Sequence, residues 1–419
     1  MKRFGLIFGV LMIGLGVISC SDDNEETPTD KISLDSTLNW YGNNRETLEK
    51  YLNNHALGGT NYNTSDYVVF DFDNSTIYND IENCFVAYMA LNGHVKRPAG
   101  NDWKLITPDA SPELETALDT NCAGDGEFLP TNADCVDTIF SAYYEGAVSS
   151  EPDAADAFTI GSNKLYRPDY AFGGQIIAGN TPVDAATYSA ETADWCLGLG
   201  LDEEVTVGNA NYKLAIRFYD EILDVMKALE KANIPFVIST ASPEYLVVEA
   251  AKLLPVQPDA VIGVRLKVED GVYTGKTVAI GEYGEGEIMN YQLGKVISLL
   301  EFYEGLNTSG LSDKQIIDAT NISAGFCDSD TDAQFIKSAK HVAFCLNRNK
   351  SGIMCPMYHW QANGDPDRPD KDFLINPIFI KEHAKSKKED SYSCSIEDLP
   401  AGMGIDSIAA EIEDTVYWE

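Results

Sequence analysis

The stretch Val68-Val69-Phe70-Asp71-Phe72-Asp73-Asn74-Ser75-Thr76 decides the fold. Three apolar residues run directly into two acids spaced two positions apart. An unbroken apolar run reads as a strand covered on both faces, the situation of strands in a parallel sheet. The acids then stand at its carboxyl end, where open α/β sheets bind ligands. Two neighbouring carboxylates repel unless a cation or a shared proton offsets them. The pair predicts a divalent metal site, with one Asp free to attack a bound molecule.

The rest of the chain reads as strands alternating with helices. A helix falls within residues 37–55, and IENCFVAYMAL (81–91) is helical. The apolar spacing of 212–232 predicts an amphipathic helix closed by Asn233. IPFVIST (234–240) is a second buried strand. SPEYLVVEAAKLL (242–254) predicts a helix capped by Ser242 with Pro243 in its first turn. Residues 260–275 read as a strand and a hairpin turning at Asp270-Gly271. A helix over 292–306, a strand entering another acidic loop over 322–330 and a strand at 341–348 follow. This alternation predicts an α/β fold: a three-layer, Rossmann-like parallel sheet. Residues 92–205, rich in Gly, Asn, Asp, Ala and Thr, interrupt the pattern as a mostly helical cap inserted after the first acidic strand. The core is then 37–91 and 206–390, with a C-terminal extension over 391–419.

The N-terminus begins Lys2-Arg3, continues through an apolar Phe4–Val17 and reaches Cys20. Those 14 apolar residues are fewer than the roughly 20 needed to span a bilayer, so 1–19 reads as a secretory signal. Val17-Ile18-Ser19-Cys20 resembles a bacterial lipobox, which implies lipid attachment at Cys20. The acidic stretch that follows, 20–36, reads as a tether. These features predict an exported protein held to the cell envelope by its lipid, on the outer membrane or at the surface. Besides Cys20 the chain has eight Cys, an even number that permits disulfides in an exported chain. Cys122 with Cys135 is the favoured pair; buried free thiols are the alternative. The net charge of −36 argues against nucleic acid as a partner. It also means that an anionic group must be captured by local cations. The oligomeric state is not readable.

Four pieces stand at strand ends or helix starts: Asp71/Asp73, Thr240, Lys295 and Asp328/Asp332. In that order the set resembles the haloacid dehalogenase-like phosphohydrolases. The first motif of that family, DxDxT, is matched by Asp71-Phe72-Asp73-Asn74-Ser75, with Ser in the last place. Thr240 matches the second motif, with Ser239 as an adjacent alternative. Lys295 matches the third. Asp328-Ser329-Asp330-Thr331-Asp332 matches the fourth, with Cys327 where the family has Gly; Cys327 is expected to be a packing residue. NWYGNNRETLEKYL, FDNSTIYNDI and SPEYLVVEAA look like exported phosphatases related to phosphorylcholine phosphatase and phosphoserine phosphatase.

The resemblance implies Mg²⁺-dependent hydrolysis of a small phosphate monoester through an aspartyl-phosphate. Asp71 is then the nucleophile, and Asp73 the general acid and base. Asp71, Asp73 (through its carbonyl), Asp328 and Asp332 are the metal set. Thr240, Ala241, Ser242 and Lys295 bind the phosphoryl group. Phosphocholine is the candidate substrate; phosphoserine or a sugar phosphate keeps the same mechanism. A lipoprotein that captures phosphorylated ligands without hydrolysing them is the competing class, although a pure binder has no need of Asp73. A quaternary ammonium prefers an aromatic cage, for which Tyr88, Trp103, Tyr143, Tyr144, Tyr166 and Trp195 are on offer. Asp80 reads either as a helix cap or as a group facing the substrate.

Overall fold

The computed structural model describes residues 31–161, 165–381 and 391–419. Tyr67–Phe70 is the inner strand β1 of a six-stranded sheet. The other strands are β2 (Phe236–Pro243), β3 (Ala260–Val264), β4 (Ile322–Cys327), β5 (Val342–Asn347) and β6 (Asp372–Pro377). They lie in the order β6-β5-β4-β1-β2-β3, and every neighbouring pair is parallel. The chain builds outward from β1 to β3, then returns to build the other half. The reversal lies between β1 and β4, so a crevice opens at the carboxyl ends of those two strands. The Rossmann-like parallel α/β fold expected from the sequence is the observed one.

The side chains of β1 alternate between the two faces with the two-residue period of a strand. Val68 and Phe70 join one core with Leu48 and Leu52 of α1 (Asn44–His55). Tyr67 and Val69 join a second core on the opposite face, with residues of the chain after 279. Val68, Val69 and Phe70 are fully buried; each such burial stabilises by about 1.5–3 kcal/mol.

After β1 come α2 (Ile81–Leu91), α3 (Pro112–Asn121), α4 (Ala133–Tyr144), α5 (Pro168–Gln175) and α6 (Pro182–Gly198). The helix expected from 212 instead starts at Asp220, as α7 (Asp220–Ala232). The residues before it form a short strand, Arg217–Phe218, paired with Ile77–Tyr78. Asn233 ends α7 in the left-handed conformation at φ 56°. Beyond β2 the next helix, α8, runs from Glu244 to Ala251. Ser242 does not cap it, because β2 extends through Pro243 and turns that hydroxyl to other partners. Asp270 and Gly271 both have positive φ, 50° and 82°, as the expected hairpin turn requires. The helix α9 (Leu293–Ser298) widens into a π-helical turn over Leu299–Glu304.

The signal segment, Cys20 and the tether as far as residue 30 lie outside the described residues. Residues 32–34, also expected in the tether, pack on α1: the Ile32 N–H donates to Asn53 Oδ1 and the Leu34 N–H to Glu49 Oε1. No helix among the described residues is long and apolar enough to cross a membrane.

All eight of these Cys are paired: Cys84–Cys196, Cys122–Cys135, Cys327–Cys345 and Cys355–Cys394. Cys122–Cys135 is the pair favoured from sequence. Cys327 is not merely a packing residue, since parallel register sets it beside Cys345 on β5. Cys84–Cys196 ties α2 to α6 across 112 residues. Replacing both Cys84 and Cys196 with Ala should lower unfolding stability by about 2–5 kcal/mol in chemical denaturation.

Candidate active site

Asp71 leaves β1 with its N–H still on the Phe326 carbonyl at 3.0 Å, so it stays level with the end of β4. The chain then turns tightly. Thr76 Oγ1 donates to the Asp71 carbonyl at 2.7 Å, and Asn74 takes a left-handed φ of 60°. Single carboxylate oxygens of Asp71, Asp328 and Asp332 lie within 4.8 Å of one another, and all three residues are buried. Lys295 reaches in from the first turn of α9. Its Nζ lies 2.6 Å from Asp71 Oδ1 and 2.6 Å from Asp332 Oδ1. Arg348, just past β5, pairs with Asp328 Oδ2.

Three buried carboxylates thus face two cations. Burial and the charge of Asp332 push the Asp71 carboxyl up, and Lys295 opposes them. Burial pushes Asp332 up to about 6, again against Lys295. Burial by itself would lower Lys295, but the two carboxylates outweigh it and hold the ammonium charged. The donor set is all oxygen and keeps a net negative charge, which fits a hard divalent cation such as Mg²⁺.

Asp73 occupies a second setting a few ångströms of chain away. Its Oδ1 accepts the Ile81 N–H at 2.8 Å; its Oδ2 accepts Ser242 Oγ at 2.7 Å and Thr240 Oγ1 at 3.3 Å. Burial, then the nearby charge of Asp80, raises its carboxyl to about 8. It is therefore largely in the acid form at neutral pH, as a proton donor must be. Asp80 is the helix cap that the sequence offered as one of its two readings. Its Oδ1 caps α2 by accepting the Glu82 and Asn83 N–H groups, and it lines the cavity.

That cavity has a volume of about 180 Å³. Asp71, Asp73, Asp328, Ala241 and Ser242 line it. Thr240 and Lys295 are fully buried and do not line it. The Ser239 hydroxyl points elsewhere, accepting Asn290 Nδ2 at 3.3 Å.

Several groups were missed from the sequence. Glu82 lines the cavity while buried, and its Oε2 accepts Ser242 Oγ at 3.3 Å. Burial, then Asp80 and Asp73, push its carboxyl well up. A Cβ on Gly173 would sit 2.2 Å from Glu82 Oε1, so α5 can lie this close only with glycine there. Arg348 and Tyr170 also line the cavity. The six aromatic residues offered for a cage do not line it. Trp103, for example, is core, with its indole N–H on Asp119. Two signals were present: an acid on the apolar helix 81–91, and a cation closing the strand 341–348. Nothing in the sequence marks Tyr170.

Residues 181–294 match the family profile of haloacid dehalogenase-like hydrolases. That match takes in Thr240, whereas Asp71, Asp73, Lys295, Asp328 and Asp332 lie outside it. The family resemblance read from the sequence agrees with that match. No curated protein sequence matches the chain. Among solved structures, a protein of unknown function from Anaerococcus prevotii DSM 20548 is similar over 83% of this chain and 94% of its own, with 16% identity and a TM-score of 0.56. A protein of unknown function from Bordetella pertussis Tohama I covers 75% of this chain and 100% of its own, at 14% identity and a TM-score of 0.43. A substrate-bound phosphoserine phosphatase covers 68% and 87%, at 11% identity and a TM-score of 0.30.

Lys295→Met leaves two buried carboxylates without their cation. The variant should lose about 3–5 kcal/mol of stability in urea unfolding with metal chelated.

Proposed function

We propose that this hydrolase is a Mg²⁺-dependent phosphatase acting on a small phosphate monoester through an aspartyl-phosphate. The observation that carries the reading is the separation of the two acids at the end of β1. Asp71 lies among Lys295, Asp332 and Asp328, whereas Asp73 is held apart by hydrogen bonds from Ser242, Thr240 and the Ile81 N–H, and burial, against the pull of those bonds, keeps its carboxyl raised. One carboxylate is kept for attack and the other for proton transfer.

Asp71, Asp328 and Asp332, with the Asp73 carbonyl, would hold the Mg²⁺, which when bound offers Lewis acidity to a phosphoryl oxygen. Asp71 attacks phosphorus and the bond to the leaving oxygen breaks. Asp73 gives its proton to that oxygen, then takes one from the water that hydrolyses the aspartyl-phosphate. Lys295 steadies the charge of Asp71 and Asp332, while Ala241 and Ser242 form the wall against the phosphoryl group. Thr240 positions Asp73.

Phosphocholine is the substrate we propose first. Asp80, Glu82 and the Tyr170 ring, all lining one cavity, suit a cationic leaving group. A substrate cation is also the kind of charge that would draw the Glu82 carboxyl back to its ionised form. Phosphoserine, which carries an ammonium, is the nearest competitor. We further propose that the protein works outside the cytoplasm, lipid-anchored at Cys20. Four disulfides suit an oxidising compartment.

Wild-type protein with Mg²⁺ should release phosphate from p-nitrophenyl phosphate, and a chelator should stop it. Asp71→Asn should fall to background, and Asp73→Asn should lose about 10²–10⁴-fold in kcat. Phosphate binding without turnover by wild type and Asp71→Asn alike would instead favour the binding lipoprotein. In a panel of monoesters, phosphocholine should give the highest kcat/KM. Glu82→Gln should raise its KM roughly tenfold, as loss of one partly buried charge contact requires, while leaving p-nitrophenyl phosphate nearly unchanged.

A further inference from the structure

A second cavity of about 310 Å³ lies between the cap and the hairpin formed by Leu266–Glu269 and Val272–Thr277. It shares no lining residue with the catalytic cavity. Four cations line it, Lys96, Arg97, Lys104 and Lys276, against one acid, Glu269. That balance is unusual in a chain of net charge −36. The other large cavities run the opposite way: the catalytic one has six acids and two cations, and one beneath the amino ends of the strands has Asp66, Glu230 and Asp259 with no Lys or Arg.

The cations are partly built in. Arg97 donates Nε to the Gly126 carbonyl at 3.1 Å and Nη2 to the Cys122 carbonyl at 2.7 Å. Both acceptors lie on the loop closed by Cys122–Cys135. Its Nη1 is buried and has no hydrogen-bond partner among the described residues. A buried guanidinium N–H left unpaired is costly, and an anion is its natural complement. Lys96 and Lys104 have acidic neighbours, Glu127 at 2.9 Å and Glu115 at 3.5 Å, but neither Glu lines the cavity. Apart from Thr274 the remaining side chains of the wall are largely apolar, chiefly Pro98, Leu105, Ile106 and Tyr273. Gly275 packs its backbone against Ile106, where a Cβ would meet the carbonyl at 2.0 Å, so hairpin and cap are held together here.

We propose that this cavity is a binding site for a small amphipathic anion: an aromatic or short aliphatic body carrying a carboxylate, phosphate or sulfonate. The body lies on the apolar wall and the charged group meets the lysines and Arg97. A volume near the lower end of the range for ligand pockets sets the size. The site stands apart from the hydrolytic reading and does not depend on it.

The probe is 1-anilinonaphthalene-8-sulfonate, titrated calorimetrically into the mature protein, beside its uncharged counterpart N-phenyl-1-naphthylamine. The sulfonate should bind at one site per chain, at least ~10-fold tighter than the amine, and weaken as salt rises. The double variant Lys104→Glu/Lys276→Glu alters two exposed side chains, so folding should be unaffected and p-nitrophenyl phosphate turnover unchanged. It should weaken sulfonate binding at least ~10-fold, the effect of about 1.4 kcal/mol. Asp71→Asn should bind the sulfonate as wild type does. Equal affinity for the two probes, indifference to the charge reversal, loss of binding in Asp71→Asn, or no saturable binding overturns the proposal.

Discussion

Lys295 sits between Asp71 and Asp332, fully buried, with both contacts at 2.6 Å. Three acids from two distant parts of the chain converge around it. In water each carboxylate would be separately hydrated; buried together they repel and lose that hydration. The ammonium holds them, and Arg348 adds a second positive charge from the next strand over. This arrangement is the condition for a carboxylate to be both ionised and buried at the end of β1. It ties the stability of the carboxyl face of the sheet to the site's chemistry, because the same charges do both.

The sheet supplies the rest of the constraint. The reversal of strand order between β1 and β4 leaves their carboxyl ends adjacent, with no helix crossing directly between them. Asp71 and Asp328 follow those two strands. The register of β1 against β4, with Phe70 opposite Phe326, sets their level, and the disulfide from Cys327 to Cys345 ties β4 to β5 immediately beneath. Short, fully apolar strands carry these acids because the burial of residues such as Val69 and Phe70 offsets the cost of collecting charge at their ends.

The cap gives the site its second half. Helix α5 places Tyr170 on the cavity wall and packs Gly174 against the Pro243 ring. Ser242 links two elements of the site: its hydroxyl is shared between Asp73, just past β1, and Glu82, from α2. The same insertion makes the basic cavity on its other side. A strongly acidic chain thus gathers cations at two places, beside the catalytic carboxylates and between cap and hairpin.

The amino-acid sequence alone determined the buried strands, the alternation that makes them parallel, and the acids at their ends. Apolar runs and strand-end charges are local patterns, and they are written out in Val68-Val69-Phe70-Asp71 as in Gly325-Phe326-Cys327-Asp328. The Asp270-Gly271 turn and the Asn233 helix end were legible for the same reason, as single-residue conformational preferences. What tertiary structure decided depends on partners far apart in the chain. Ser242 reads locally as a helix cap, but the extension of β2 carries it to Asp73 instead. Cys327 reads as a small packing residue until register sets it beside Cys345. Glu82, Arg348 and Tyr170 reach one cavity only because α2 and α5 begin where β5 ends. Hydrophobic periodicity reports which face of an element is buried; it holds no information about which distant side chain will be found there.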